Sequence, residues 1–415
     1  MGPEYSNVTN QKSILMVSQS SHAGGAAIAT NRIFSCLKKG GFTVGWIVAD
    51  KSENDNPGIM EIKKARKVLA SFYSKIDWRL CKIINPGNLE LQTSGFFGTL
   101  KSGKLNSTNF DLINIHWMGH GLISLRQLNK IKKPMVLTMH DEWFLHPISH
   151  YKENAHTSSR NKGMKQFLSN RIRKNRINLK LKIVNKDRVY IICPSEQLAL
   201  KFRLQFPKKY EKIFFVPNPV DLTEFYPQKN AKYLNLSAES LEYPVAFYLG
   251  GTRNIRKGWD LLEGALDLIE IPFIMLIIGD SSRKYYGKFH QIEVINFKKV
   301  YGVENLRNLY SLSHFVIVPS REEAGGPQTA TEALSCGTPV VGFKSGTMES
   351  IIRSGITGEL GNSLNSTDLS HAIMKVIMNK KVTYEKNCRL MAKECFSFDK
   401  VLNEYILLFN SIIIN

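Results

Sequence analysis

The sequence predicts an α/β protein built from two doubly wound, Rossmann-like parallel sheets that face each other across a cleft. Three observations predict it. The chain has 415 residues, more than one hydrophobic core readily supports, so two units of about 200 residues each are expected. Short β-branched runs alternate with helix-like stretches, the pattern of parallel sheets covered on both faces. These runs fall into two series, parted by a polar stretch punctuated by Pro217, Pro219, Pro227 and Pro244.

The first series comprises Ser13–Ser18, Thr43–Val48, Leu112–His116, Met135–Met139, Val189–Cys193 and Ile213–Val216. The second comprises Val245–Leu249, Phe273–Ile278, Glu293–Phe297, Phe315–Val318 and Val340–Phe343. The expected division is residues 1–218 as a first domain, 219–392 as a second, and 393–415 as a helix returning to the first. Residues 53–110 give weak signals. Ligands of doubly wound sheets bind outside the carboxyl ends of the strands, so polar residues just after a strand are the candidates for chemistry.

Hydrophobic content of 43% supports packed cores and excludes a disordered chain. The six cysteines lie singly, without C-x-x-C pairs or zinc-finger partners, which argues against a metal or disulfide framework and for a reducing, cytoplasmic setting. Neither a signal peptide nor a membrane span is read. The net charge of +21 favours polyanionic partners. Nearly half of it sits in residues 160–188, where eleven Lys or Arg accompany one acid, Asp187.

Four stretches carry candidate chemistry. After the first strand, Gly24 and Gly25 open an Ala-rich helix whose N-terminus offers free N–H groups to an anion. After Met135–Met139 come His140, Asp141, Glu142 and Trp143, then His146 and His150. They lack the helical spacing of a H-E-x-x-H zinc site, and His140 is suited to donate to a sugar hydroxyl. After Val245–Leu249 come Gly250, Gly251, Arg253, Arg256, Lys257 and Gly258, cations beside a glycine turn that suit a diphosphate. The most specific stretch is FVIVPSREEAGGPQTATEALSCGTPVVGF at 315–343. There a strand leads to a loop with Glu323, Gly325 and Gly326, and a helix is expected from Gln328 to Cys336 with Gly337 as its left-handed terminator. The loop amides and the helix start at Gln328 and Thr329 suit a phosphate or sugar oxygen, and the carboxylates of Glu323 and Glu332 suit a polyol. No D-x-D cluster accompanies them, so no metal or other cofactor is expected.

These stretches, with HWMGHG at 116–121, HDEW at 140–143, CPS at 193–195, VPNPVDLTEFYP at 216–227 and RKG at 256–258, resemble the group 1, or family 4, retaining glycosyltransferases of GT-B architecture. The sub-group with HW and HD-x-W motifs is typical of bacterial capsule, O-antigen and exopolysaccharide gene sets. The resemblance implies a metal-independent enzyme that moves a hexosyl or related sugar from a nucleotide diphosphate donor to a glycan or lipid-linked acceptor, with retention at the anomeric carbon. It places Glu332 on the nucleotide ribose, Glu323 on the donor sugar and Lys257 with an arginine on the diphosphate. His116, Asp141 and Trp143 fall on the acceptor side, and His140, Lys257 and Glu323 form the catalytic set. The sequence departs from the pattern in three places. Eight residues rather than seven separate Glu323 from Glu332, which leaves Glu322 as a rival. Arg253 lies four rather than five residues before Lys257, which leaves Arg256 as its rival. The cysteine pairs that often follow HD-x-W are absent between Tyr151 and Tyr190.

In residues 160–188 apolar residues interleave with the basic ones, and Leu168, Ile172, Leu179 and Ile183 share one helical face. This segment is read as a peripheral attachment to the inner, anionic membrane face, weighed against a solvated helix. A nucleic-acid-binding protein would interleave stacking aromatics, and only Phe167 occurs here, so no nucleic acid partner is expected. An epimerase or an inactive sugar-binding relative of the same fold is the remaining alternative.

Overall fold

The structure, a computed structural model, describes residues 12–53, 56–88, 90–152, 163–228, 243–250, 255–279, 292–297, 300 and 302–414. The described residues form two compact units, one from within 1–194, 198–216 and 402–415, the other from 195–197 and within 217–401.

In the first unit the chain runs β1 (Ser13–Ser20), α1 (Gly25–Lys39), β2 (Thr43–Asp50), β3 (Ile59–Glu61), α2 (Lys64–Ile84), α3 (Ser102–Asn106), β4 (Leu112–Ile115), α4 (Leu125–Asn129), β5 (Met135–Thr138), α5 (Met164–Val184), β6 (Val189–Cys193), α6 (Glu196–Gln205) and β7 (Ile213–Phe215). The strands form one parallel sheet in the order β3-β2-β1-β4-β5-β6-β7. Ile14 to Val17 of β1 are all inaccessible, as are the four residues of β4, which is why these strands read as continuous apolar runs rather than alternating ones. Helix α1 covers the sheet with Ala27, Thr30, Phe34 and Leu37, one stripe at helical spacing.

The second unit continues with β8 (Val245–Leu249), α7 (Trp259–Leu266), β9 (Phe273–Ile278), β10 (Ile292–Phe297), α8 (Val303–Leu312), β11 (Phe315–Val318), α9 (Gln328–Ser335), β12 (Val340–Phe343), α10 (Met348–Ile351), β13 (Gly358–Gly361), α11 (Ser366–Asn379) and α12 (Lys381–Phe396). Its strands form a second parallel sheet in the order β10-β9-β8-β11-β12-β13. Helix α9 ends at Ser335 and Gly337 follows with φ 73°. The last helix, α13 (Phe398–Ile414), belongs from Leu402 onward to the first unit. There Phe409 packs edge-on to Phe42, and Lys12 Nζ donates to Asn410 Oδ1 at 2.8 Å.

In both sheets the order reverses direction beside the first strand of the series. That places the ends of β1, β4 and β5 side by side in the first unit, and those of β8 and β11 in the second. The candidate stretches all lie at these ends.

Candidate functional site

In the second unit two loops are stitched together. The turn after β8 carries Arg256 and Lys257, and the loop after β11 carries residues 319–327. Arg321 N donates to Arg256 O at 2.8 Å, and the Arg256 guanidinium returns a bond of 2.9 Å to Glu322 O. Arg321 also holds both oxygens of Asp260, at 2.6 and 2.5 Å, the planar two-point pairing for which arginine is suited. Gly258 stands at the closest approach. Its φ is +69°, and a Cβ there would lie 1.8 Å from Pro319 O, so only glycine lets the two loops touch.

This stitching brings Glu323 against both cations: Lys257 Nζ lies 2.5 Å and Arg256 Nη1 3.4 Å from Glu323 Oε1. Burial raises the carboxyl's hold on a proton, but the two cations outweigh it and keep Glu323 below the usual carboxylate range. Of the two rival acids, Glu323 makes this ion pair, and the carbonyl of Glu322 accepts from Arg256. Of the two rival arginines, Arg256 joins the cluster, and Arg253 lies outside the described residues. The backbone of the loop is held as well. Thr347 Oγ1 donates to Glu323 O at 2.5 Å, and Asn218 Nδ2 donates to Gly325 O at 2.8 Å. Gly325 and Gly326 lead to Pro327, which opens α9 without a side-chain cap, so Gln328 and Thr329 begin a helix whose first amides no side chain of that residue takes. Glu332, one turn further, is buried, and its Oε2 accepts the Tyr310 hydroxyl at 2.7 Å.

In the first unit Gly24, with φ 86°, ends the β1 loop, and Gly25 starts α1; a side chain at either would meet nothing within 4 Å. The helix start is therefore open. His140, just after β5, faces α1, with Nε2 3.5 Å from Thr30 Oγ1 and 3.0 Å from His116 Nδ1 at the end of β4. Burial drives the His116 imidazole far below its ordinary range, and enclosure takes His140 down to about 4. The pair is neutral at pH 7, so a ring N–H of one donates to a ring lone pair of the other.

Asp141 and Trp143 build the support behind that pair. Asp141 Oδ2 accepts from Trp117 Nε1 at 3.1 Å and lies 2.6 Å from His150 Nδ1, while Oδ1 accepts the Trp143 N–H at 2.9 Å. Burial opposes ionisation of Asp141, and these partners overcome it, holding its carboxyl below the ordinary value. The Trp143 indole, 5% exposed, donates to Thr93 O at 2.7 Å and stacks on His150, whose Nε2 lies 2.9 Å from Thr93 Oγ1. Beneath them the inaccessible Lys180 of α5 donates to the carbonyls of Trp143, His146 and Pro147, with Nζ 3.8 Å from the Trp143 ring centre. Burial pushes its ammonium well below the usual lysine range. Among the described residues no group of three or more His, Cys, Asp or Glu is placed to hold a metal ion.

Comparison with known proteins gives the family and the fold. Residues 23–224 match the model described as Glycosyltransferase Family 4, and residues 237–394 the model described as Glycosyl transferases group 1, so the two matches span most of the chain. The chain belongs to the group 1/family 4 glycosyltransferases. A D-inositol 3-phosphate glycosyltransferase of Actinosynnema mirum is 26% identical over 186 residues, 40% of this chain, and the chain spans only 44% of that relative's length. A 41.2 kDa protein in the cps region of Klebsiella pneumoniae is 23% identical over 335 residues, 78% of this chain and 85% of that protein. Among solved structures, the sucrose-phosphate synthase of Thermosynechococcus elongatus has a TM-score of 0.69 at 18% identity and covers 97% of this chain and 99% of its own. HepE of Anabaena in complex with UDP-glucose has a TM-score of 0.60 at 15% identity, covering 96% and 99%. At such identities the structures show the shared fold.

Sequence reasoning missed several residues of this glycosyltransferase that contact the candidate residues. Thr30, Thr93, Tyr310 and Thr347 are small or buried polar groups that carry no motif of their own, and Asn218 stands in the VPNPVDLTEFYP stretch without being singled out there. Lys180 had a readable signal: it stands i+4 from Arg176 in a helix without acids, and both side chains are buried. The apolar face expected of residues 160–188 is in part a packing face. Ile183 is inaccessible, and Ile172 packs on Cys81, Ile84 and Ile148.

Proposed function

We propose that this enzyme transfers a sugar from a nucleotide diphosphate donor to a lipid-linked glycan, with retention at the anomeric carbon, in the building of a surface polysaccharide. The observation that carries the reading is the Lys257–Glu323–Arg256 cluster on the loop that leads into α9. Cations and amides together suit the diphosphate, and their interaction strengthens as charge moves onto it, the differential stabilisation that lowers a barrier. Glu332, oriented by Tyr310, takes the ribose hydroxyls, and Glu323 the donor sugar. His140 donates to a sugar hydroxyl as a neutral imidazole. The departing phosphate oxygen accepts the acceptor's proton on the face it leaves, so no separate general base is required.

The polysaccharide setting rests on relatives such as the Klebsiella cps-region protein, and a lipid-linked acceptor agrees with the basic segment at 160–188, which would hold the enzyme beside an anionic leaflet. The test is a thermal-shift panel of UDP-, GDP-, ADP- and dTDP-sugars, because a ligand at a hundredfold its Kd adds about 2.7 kcal/mol to stability. The donor that shifts the melt is then used to make product, whose anomeric configuration is read by NMR. No shift with any nucleotide sugar would overturn the donor reading, and an inverted product would overturn retention.

A further inference from the structure

Helix α2 falls within residues 53–110, where the sequence pattern is weak, and it has two unlike faces. Ala70, Asp77, Cys81 and Ile84 are buried against the first unit. On the opposite side, at helical spacing, stand Val68, Phe72 and Ile83, which are 67%, 57% and 67% exposed, and Trp78 flanks them at 60%. A soluble helix ordinarily turns charged residues outward at such positions. The same outward side carries Lys64, Lys75 and Arg79. The helix holds six basic residues and one acid, Asp77, and that acid is buried, accepting the Ser94 N–H at 3.0 Å, so the outward face presents only positive charge.

Two neighbouring features extend this face. A groove of about 500 Å³ runs beside Trp78, with Lys75, Arg79, Leu91 and His120 around it and, in its lining, Thr93 and the Asp77 carboxylate, which Ser94 engages. Helix α5 joins α2 where Ser169 Oγ donates to Ile84 O at 2.6 Å. Its first turns expose Met164, Phe167 and Leu168, and Lys165 and Arg171 are exposed with them. Exposed aromatic and aliphatic groups interleaved with cations and lacking acids match the boundary of an anionic bilayer, where rings enter the headgroup layer and cations meet lipid phosphates.

We infer that the outward face of α2, continued by the first turns of α5, docks this enzyme on an anionic phospholipid surface, with the Trp78 groove at the headgroup level. This reading moves the centre of membrane contact from the basic segment at 160–188 to residues 64–83. It goes beyond the donor chemistry and can fail without touching it.

The five tryptophans make the test direct. Trp46, Trp143 and Trp259 are buried, Trp117 is half-buried, and Trp78 alone is exposed. The full chain is mixed with vesicles of phosphatidylcholine containing phosphatidylglycerol, some with brominated acyl chains, and with vesicles of phosphatidylcholine alone. Binding to the anionic vesicles is expected, with bromine quenching that disappears in Trp78→Phe. Phe72→Ser with Ile83→Ser should weaken binding, and Lys75→Gln with Arg79→Gln should weaken it about thirtyfold, at about fivefold per charge near the leaflet. Donor-induced thermal shifts unchanged in these variants would show them folded with the donor site intact. Undiminished binding by both variants, or quenching that persists in Trp78→Phe, would overturn the inference. So would equal retention on DNA of the wild type and the Phe72→Ser/Ile83→Ser variant in the absence of vesicle binding, which would assign the charge to another polyanion.

Discussion

Replacing Lys257 by Ala separates catalysis from folding at the cation cluster. Glu323 is 10% exposed on its side chain, with Lys257 Nζ 2.5 Å and Arg256 Nη1 3.4 Å away. Stripping a buried charge of its sole partner costs about 3 to 5 kcal/mol. Here Arg256 remains, and the lysine is itself 31% exposed, so screening reduces the loss and about 1 to 2 kcal/mol is expected. On the reaction side, losing one donor aimed at the leaving diphosphate lowers kcat by about 10² to 10³, or about 3 to 4 kcal/mol of transition-state stabilisation. The rate effect should therefore exceed the folding effect. Urea unfolding gives the first quantity, and initial rates at saturating donor give the second. Lys257→Arg, which keeps the charge, should recover part of the rate. Acid unfolding offers a further check. The Glu323 carboxyl is depressed in the folded state, so its contribution is complete above its unfolded value of 4.5 and fades as pH falls through the lower folded one. In Lys257→Ala that contribution should fade at higher pH. A variant that turns over within about twofold of the wild type, while Lys257 is gone, would refute the role assigned to it.

Three other perturbations follow from the geometry. His140 sits near 4 when folded against 6.5 unfolded, so the unfolded chain binds more protons between those values and stability rises with pH across that window, by about 3 kcal/mol; His140→Asn should flatten that part of the Tm-against-pH curve, and a parallel curve would count against the assignment. Lys180→Met leaves the carbonyls of Trp143, His146 and Pro147 without their donor and should cost about 2 to 4 kcal/mol. Because burial lowers the Lys180 ammonium, wild-type stability should also rise as pH approaches the unfolded value of 10.5, and that rise should vanish in the variant. Gly258→Ala drives a Cβ into Pro319 O, so it should abolish the donor-induced thermal shift while leaving far-UV circular dichroism native in shape; an unchanged shift would show that the two loops can part without harm.

Much of this architecture was legible because parallel strands announce themselves. FIMLII at β9 is buried along its whole length and reads as strand without reference to anything else. The short edge strands β3 and β13 were not legible, since IME and GELG have neither the length nor the apolar content of a central strand. Helix α2 escaped for a different reason. Val68, Phe72, Trp78 and Ile83 stand among the outward cations while Asp77 is turned inward, so apolar and polar positions do not sort cleanly between its two faces. At the site, the cations and acids of 256–258 and 322–332 were legible because charge and glycine are rare together. Which acid met which cation was set by the 1.8 Å approach at Gly258, a tertiary fact. The first-unit stretch shows the same limit. HD-x-W stands out as a motif, yet Asp141 and Trp143 spend their polar groups on Trp117, His150 and Thr93, so the motif marks a buttress from which His140 projects toward α1.

Charge balance at the second-unit site leads to a last prediction. On the proposed reading, Lys257, Arg256 and Glu323 together carry one net positive charge, less than a diphosphate requires, and the start of α9 with the loop amides around Gly325 and Gly326 adds to the attraction. Glu323 then has two opposing effects. Its carboxylate pairs with Lys257 and, in the proposed role, would serve the donor sugar while repelling the diphosphate left behind after transfer. Replacing it with Gln keeps the shape and removes the repulsion, so nucleoside diphosphate should bind about tenfold more tightly, about 1.4 kcal/mol, with a weaker dependence on salt. Transfer should slow at the same time, because the sugar loses an ionised acceptor for its hydroxyls. Tighter diphosphate with slower turnover is a combination that general damage to the fold does not produce. If Glu323→Gln weakened diphosphate and donor alike, the carboxylate would be holding the loop in shape, and the lysine would owe its position to Arg256 and the backbone instead.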